Sequence, residues 1–332
     1  MKRNLINDRL NESIIFILII ALSIVIGVRN SSYFSMGNFI DIGRSIITVG
    51  IFAMGVLIVI ISGGIDVSFP AIAVFSMYAT TKLFLSLNWQ GNVFLPFIVA
   101  ALIGFGLGMV NAFIIVTFNI PTFIATLGTQ SVFSGALLIF VGTTEINNPP
   151  PGFDRFYMTG LVSVTNENGV VSSLPVAFLF FLVIVILTWF ILTRTMIGKS
   201  IYAFGGDRAA AERIGFNLKK TQYFIFGYVG TISGIAGLIH TTMMRTSAPF
   251  DLLGSELDVI AAVVLGGASL SAGGYGSVLG TILGVLLLTI CKTNLIMMGV
   301  SSYWQKLVLG ILILLGTGLT AFQKKKALQK LI

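Results

Sequence analysis

RTMIGKSIYAFGGDRAAAERIGFNLKKTQ, residues 194–222, is the longest strongly charged run in a chain otherwise apolar enough to live in lipid. It carries Arg194, Lys199, Arg208, Arg213, Lys219 and Lys220 against Asp207 and Glu212. Lysine and arginine collect on the cytoplasmic side of membranes, so this island is expected to face the cytoplasm. Within it, DRAAAERI (207–214) suits a short helix. Asp207 can cap it, the alanines favour it and Gly215 can end it. A short polar helix between membrane spans is a shape that a soluble partner can grip.

Outward from the island the chain is lipid-like. Of its 332 residues, 56% are hydrophobic and 10% charged, against roughly 25% charged in soluble domains. With the long apolar runs, this implies an all-α polytopic membrane protein surrounded by lipid. A transmembrane barrel would show short alternating segments instead. The net charge of +8 is accounted for by the basic loops, so no nucleic-acid partner is expected. One cysteine, Cys291, excludes an internal disulfide. With one histidine, His240, no metal site is expected, and no cofactor motif is present.

About ten spans are expected, with broken or re-entrant elements among them. Residues 1–12 read as a cytoplasmic tail and 13–28 as the first span. Residues 29–44 look too polar to cross and are expected at the outer interface. The next spans are 45–61, 71–87, 93–118, 122–141, 175–193 and 223–244. Between 61 and 71 the pattern breaks at SGGIDVSFP; such backbone at membrane depth must be buried in protein or line a cavity. Gly104, Gly106 and Gly108 allow close helix approach. Residues 142–174 form a polar outer loop. Residues 257–270 are apolar but short of the roughly 20 needed to cross, and run into GGASLSAGGYG as a broken eighth element. Residues 277–293 and 303–322 complete the set, and 323–332 form a basic cytoplasmic tail.

Charge supports both termini lying in the cytoplasm. Thirteen of the twenty basic residues fall in the two tails and the island. The rest are Arg29, Arg44, Lys82, Arg155, Arg245, Lys292 and Lys306, on or near the outer side; Arg29 and Arg44 run against the rule locally. A faint echo relates GGIDVSFPAIAV (63–74) to SELDVIAAVVLGG (255–267), each with Asp-Val at a helix break. Paired interrupted segments can mark a transport pathway.

Several residues are candidates for that pathway or its gate. Gly63, Gly64 and Asp66 sit at the first break; Asp66 reads equally as a pathway group or a helix cap. Asn111 and Gln130 either line a path or bond a neighbouring helix. Glu256 and Asp258 open the short eighth element and Gly266 and Gly267 close it; the two acids guide substrate, cap the helix or meet an outer partner. Gly198-Lys199-Ser200 resembles the end of a phosphate-binding loop, but Thr193 stands where the first glycine belongs and an apolar span replaces the required strand.

Four stretches together carry a family resemblance: GGIDVS (63–68), GKSIYAFGGDRAAAERIGFNLKK (198–220), ELDVIAAVVLGGASLSAGGYGSVLGT (256–281) and GVSSYWQKLVLGILILL (299–315). In this order and spacing the chain resembles the permease subunits of bacterial ABC importers for simple sugars, from about residue 43 to 319. Two departures bear on gate geometry: Phe69-Pro70 follows GGIDVS, and SLSAGG is one residue longer than the familiar SLSGG-like run. The resemblance implies a ten-helix permease of the bacterial inner membrane, paired with a second permease copy or paralogue. It implies a cytoplasmic ATP-binding subunit that hydrolyses ATP, and a sugar-binding protein outside. Gly205, Asp207, Ala209, Ala210, Glu212 and Gly215 would then form the coupling element on the ATPase. A nucleoside-importing ABC permease shares much of this pattern. An ion-driven transporter would want acidic or basic groups in mid-span, where Asp66, in a break, is the main candidate. A membrane enzyme would want a catalytic cluster that one histidine and one cysteine do not supply.

Overall fold

The computed structural model describes residues 2–165, 169, 171–270, 273–297, 299 and 301, with 304, 307, 310, 311 and 314 beyond them; side chains are described from Glu12 onward. The long helices are α1 (Lys2–Arg29), α2 (Met36–Ile61), α3 (Phe69–Ser86), α4 (Phe94–Phe118), α5 (Thr122–Ala136, prolonged by a π turn to Val141), α7 (Ala177–Arg194), α10 (Leu218–Met244) and α12 (Val278–Met297). Shorter helices are α6 (Pro151–Met158), α8 (Met196–Gly206), α9 (Arg208–Arg213) and α11 (Glu256–Leu265). Among the described residues, eight helices are long and apolar enough to cross a membrane. The expected span at 303–322 and the tail at 323–332 lie largely or wholly outside the described residues.

The centre of the molecule is α2 with α10. Every residue of α2 from Gly50 to Ile61 is buried. That run, GIFAMGVLIVII, is apolar on all sides, as an enclosed helix must be. In lipid, apolar burial drives helix association weakly, so close van der Waals fit has to supply it. Glycines provide the fit. A Cβ at Gly104 or Gly108 of α4 would overlap the backbone of α10 at Gly230 or Phe226, and one at Gly234 would overlap Ala100. Gly50 of α2 likewise makes room for the Phe181 ring of α7.

The stretch expected at the outer interface, 29–44, differs from that reading. A short 3-10 turn at Ser31–Phe34 leads straight into α2, which begins at Met36 rather than Ser45. Ser35 caps it, accepting from the Asn38 N–H at 3.2 Å, and the Asn38 amide donates to Tyr33 O at 2.8 Å. The polar residues that argue against a helix occupy its N-terminal part, where Arg44 bonds the Tyr157 hydroxyl and lies over its ring.

The loop 142–174 holds α6 and an antiparallel hairpin, β1 (Gly160–Thr165) with β2 (Val171–Pro175), Ser163 opposite Ser173. It is tied to the segment after α10 by an Ile146–Ser247 bridge and by Arg245 donating to Asp154 at 2.9 Å. That hydrogen bond pushes the Arg245 guanidinium further above its usual range. Lys82 bonds Val141 O and Arg155 reaches Gln90 O, so cations at this hairpin end are held by local partners. The opposite end, with α8 and α9, is the island end.

Candidate functional site

Two interruptions of the helical body converge at the island end. The first is 62–68. Gly63, at φ +81°, turns the chain out of α2, and five non-helical residues (64–68) lead to α3. Their backbone is satisfied by α5: Ile65 N–H donates to Thr122 Oγ1 at 3.0 Å and Val67 N–H to Thr126 Oγ1 at 3.3 Å. Asp66, 1% exposed, accepts from both the backbone and the hydroxyl of Ser68 at 2.7 Å. It thereby closes the N-terminus of α3, where a carboxylate is favoured. Asn111, fully buried on α4, donates to Ser68 Oγ at 2.7 Å. Asp66 and Asn111 are therefore joined through Ser68, each with one buried oxygen free of protein partners among the described residues.

The second interruption follows α11. Gln130 donates to Glu256 Oε1 at 2.6 Å. At 1.5 Å per residue, Gln130 stands about 12 Å up α5 from its island end and about 16 Å below Val141. The chain after α10 therefore dips into the helical body before α11 begins, and α11, about 15 Å long, runs from there toward the island end. Asp258 pairs with Lys292 of α12 at 2.5 Å. At its close, Gly267 takes φ +97°, and Gly266 meets Gly280 of α12 so tightly that a Cβ on either would overlap the other's backbone. The eighth element is thus a half-length helix followed by non-helical chain. Ser271 and Ala272 of SLSAGG fall outside the described residues.

These interruptions meet the island in a knot of glycines. Gly274 N–H donates to Ile61 O at 2.7 Å. A Cβ on Gly205 would overlap that same Ile61 carbonyl, and one on Gly273 would lie 2.8 Å from both Gly63 Cα and Gly205 Cα. Tyr202 donates to Gly276 O at 2.8 Å. Gly64 leaves room for the Thr122 hydroxyl. The partners Gly273, Gly274, Gly276 and Gly280 belong to a stretch that carries the family resemblance, but nothing in the sequence says what they touch.

Beyond the knot, Asp207 caps α9 by accepting from Ala210 N–H at 3.0 Å, and Gly215 ends it at φ +91°. Ala209, Ala210 and Glu212 are exposed, while Ala211 is buried. This is the helix expected at 207–214. The preceding α8 is an addition to the sequence reading; it holds Gly198-Lys199-Ser200 inside a helix, with Ser200 bonded to Thr221 at 2.7 Å. His240 lies 3.7 Å from Asp251 at the hairpin end. No group of three His, Cys, Asp or Glu suited to a metal occurs among the described residues.

A polytopic helical body with two interrupted helices meeting at a polar, protruding loop defines a membrane permease. The chain belongs to the family described as "Branched-chain amino acid transport system / permease component", which matches residues 38–316. It is 33% identical over 304 residues to the ribose import permease protein RbsC of Haemophilus influenzae, covering 90% of each chain. It is also 33% identical over 300 residues to RbsC of Bacillus subtilis, covering 90% of this chain and 89% of that one. To the fructose import permease protein FruG of Bifidobacterium longum it is 32% identical over 266 residues, covering 80% and 76%. No solved structure matches the chain.

Proposed function

We propose that this chain is the permease subunit of an ATP-driven importer that carries a monosaccharide across the bacterial inner membrane. A binding protein delivers the sugar at the hairpin end, and a separate ATP-binding subunit docks on α9 at the island end. The chain itself makes no covalent chemistry. Both termini and the island lie in the cytoplasm, in keeping with its basic residues. A second permease copy or paralogue completes the path.

The observation that carries this reading is the glycine knot. The segment leading into α9 rests, backbone on backbone, against the ends of both helix interruptions at Ile61, Gly63 and Gly273. A push on α9 therefore reaches both interruptions with no flexible side chain between. The motor supplies the free-energy difference between inward- and outward-open states that a passive ligand would otherwise have to supply. The sugar relatives favour a monosaccharide as cargo.

Ala210→Glu tests it. Ala210 is exposed and glutamate suits a helix, so the fold should hold. In proteoliposomes with the ATPase and binding protein, ATP-dependent ribose or fructose uptake should fall at least about tenfold, the effect of roughly 1.4 kcal/mol lost at the interface. Uptake that proceeds without ATP, or that ignores the substitution, defeats the reading. A nucleoside that is taken up while no sugar is would reassign the cargo.

A further inference from the structure

Two cations of the island stand apart from the rest of its charge. Arg194 ends α7, and Lys199 lies in the first turn of α8, one bend later. Neither belongs to an ion pair among the described residues, and residues 189–206 contain no aspartate or glutamate. The next acids along the chain are already engaged: Asp207 caps α9 and Glu212 lies 3.9 Å from Arg208.

The bend that joins the two cations is tightly held. Thr195 is its single residue; its hydroxyl donates to Ile191 O at 2.6 Å and accepts from Gly198 N–H at 3.1 Å. A Cβ on Gly198 would overlap the Ile191 and Leu192 carbonyls, so the first turn of α8 sits directly on the last turn of α7. The surroundings are apolar and uncovered. Ile186, Trp189 and Phe190 carry the exposed face of α7 to its end, and Met196 (66% exposed) and Ile197 (40%) continue it onto α8. Arg194 lies over the Trp189 ring at 5.7 Å.

An apolar strip that ends in a tryptophan and two cations suits the headgroup layer of a bilayer. There the ring and the long side-chain stems stay with acyl chains while the charges reach polar groups. Water does not favour Met196 and Ile197, and acyl chains do not favour two unpaired cations; a phosphate with acyl chains beside it satisfies both. We propose that Arg194 and Lys199 hold the headgroup of an anionic phospholipid whose chains lie along α7 and over Met196 and Ile197. The Ser200–Thr221 hydrogen bond sets exposed Lys219 and Lys220 of α10 beside the same turn, which adds to its positive field. The binding does not depend on what the chain transports. Because α8 is about 16 Å long and its far end is the Gly205 seat, the lipid anchors one end of the segment whose other end is the glycine knot.

The test uses the full chain with Trp89→Phe and Trp304→Phe, which leaves Trp189 as the one tryptophan of the original three. It is reconstituted in phosphatidylcholine bilayers holding increasing fractions of brominated phosphatidylglycerol or brominated phosphatidylcholine, and quenching of Trp189 is followed. One cation near an anionic surface is worth about fivefold in affinity, so we expect phosphatidylglycerol to be preferred on the order of 20-fold. Arg194→Gln and Lys199→Gln should each lower that preference about fivefold. Arg194→Lys should retain it, which separates lost charge from lost fold. Equal quenching by the two lipids overturns the proposal, as does a preference that survives in both glutamine variants. Quenching by neither lipid also overturns it, since protein then covers the strip, as at an interface with a second copy. A preference abolished by millimolar inorganic phosphate overturns it in favour of a free-anion site.

Discussion

Residues 62–68 and the described residues of 266–277 (266–270 and 273–277) both leave the helical ladder inside the helical body, yet they satisfy their backbone in different ways. The first closes the N–H groups of Ser62, Gly63 and Gly64 onto the end of α2 and hands those of Ile65, Val67 and Ser68 to side chains, at Thr122, Thr126 and Asp66. The second leans on backbone and on the absence of side chains, with Gly274 bonded to Ile61 O and Gly266 pressed against Gly280. A side-chain hydrogen bond can be lost singly and costs about 1–3 kcal/mol when it strands a buried donor. A backbone-to-backbone seat has nothing to yield, because neither peptide can rotate away without moving its element. The first interruption is therefore expected to degrade by degrees, and the second to fail at one carbon atom.

Gly205→Ala is the hardest test of that contrast. Its Cβ would overlap the Ile61 carbonyl that also accepts from Gly274. We expect a loss of about 3 kcal/mol, the upper part of the range for overpacking, read as a lowered melting midpoint in detergent and as lost uptake. A variant as stable as the parent would show the knot to be loose. Thr126→Val comes next. It keeps the shape but strands the Val67 N–H, and should cost about 1–2 kcal/mol in the same melt. A neutral result would place another acceptor at Val67 and erase the contrast. Asp66→Asn preserves the acceptor oxygen that holds Ser68 and should cost less than about 1 kcal/mol. Uptake that collapses while the melt is unchanged would give Asp66 a role in the path beyond closing α3. Gly206→Ala should do least. Nothing lies within 4 Å of its would-be Cβ, so its shift should stay within about 0.5 kcal/mol, beside a neighbour that tolerates none.

Much of this architecture is legible in the residues alone. Long apolar runs announce the spans, Asp207 and Gly215 bracket α9, and the Gly63-Gly64 and Gly266-Gly267 pairs mark both interruptions. The echo between Asp66-Val67 and Asp258-Val259 is looser in three dimensions: the first pair precedes its helix, and the second lies in the first turn of α11. The N-terminal part of α2 escapes a hydropathy reading because Asn38, Asp41 and Arg44 carry charge and polarity whatever their depth. Hydropathy cannot see that Ser35 and Tyr33 cap and anchor that end.

Local composition is enough to dictate a predominantly helical membrane chain, its approximate spans, a capped polar helix in the island, and the places where glycine and proline forbid a continuous helix. Those features depend on solvent preference and backbone freedom, which each residue carries with it. The packing of the helices was needed to establish which glycine meets which carbonyl, that Gln130 reaches Glu256, and that Asn111 reaches Asp66 through Ser68. Those are meetings of residues far apart in the chain, fixed by how helices cross. A close approach requires small residues from both partners at once, and one sequence position names only its own half of the contact.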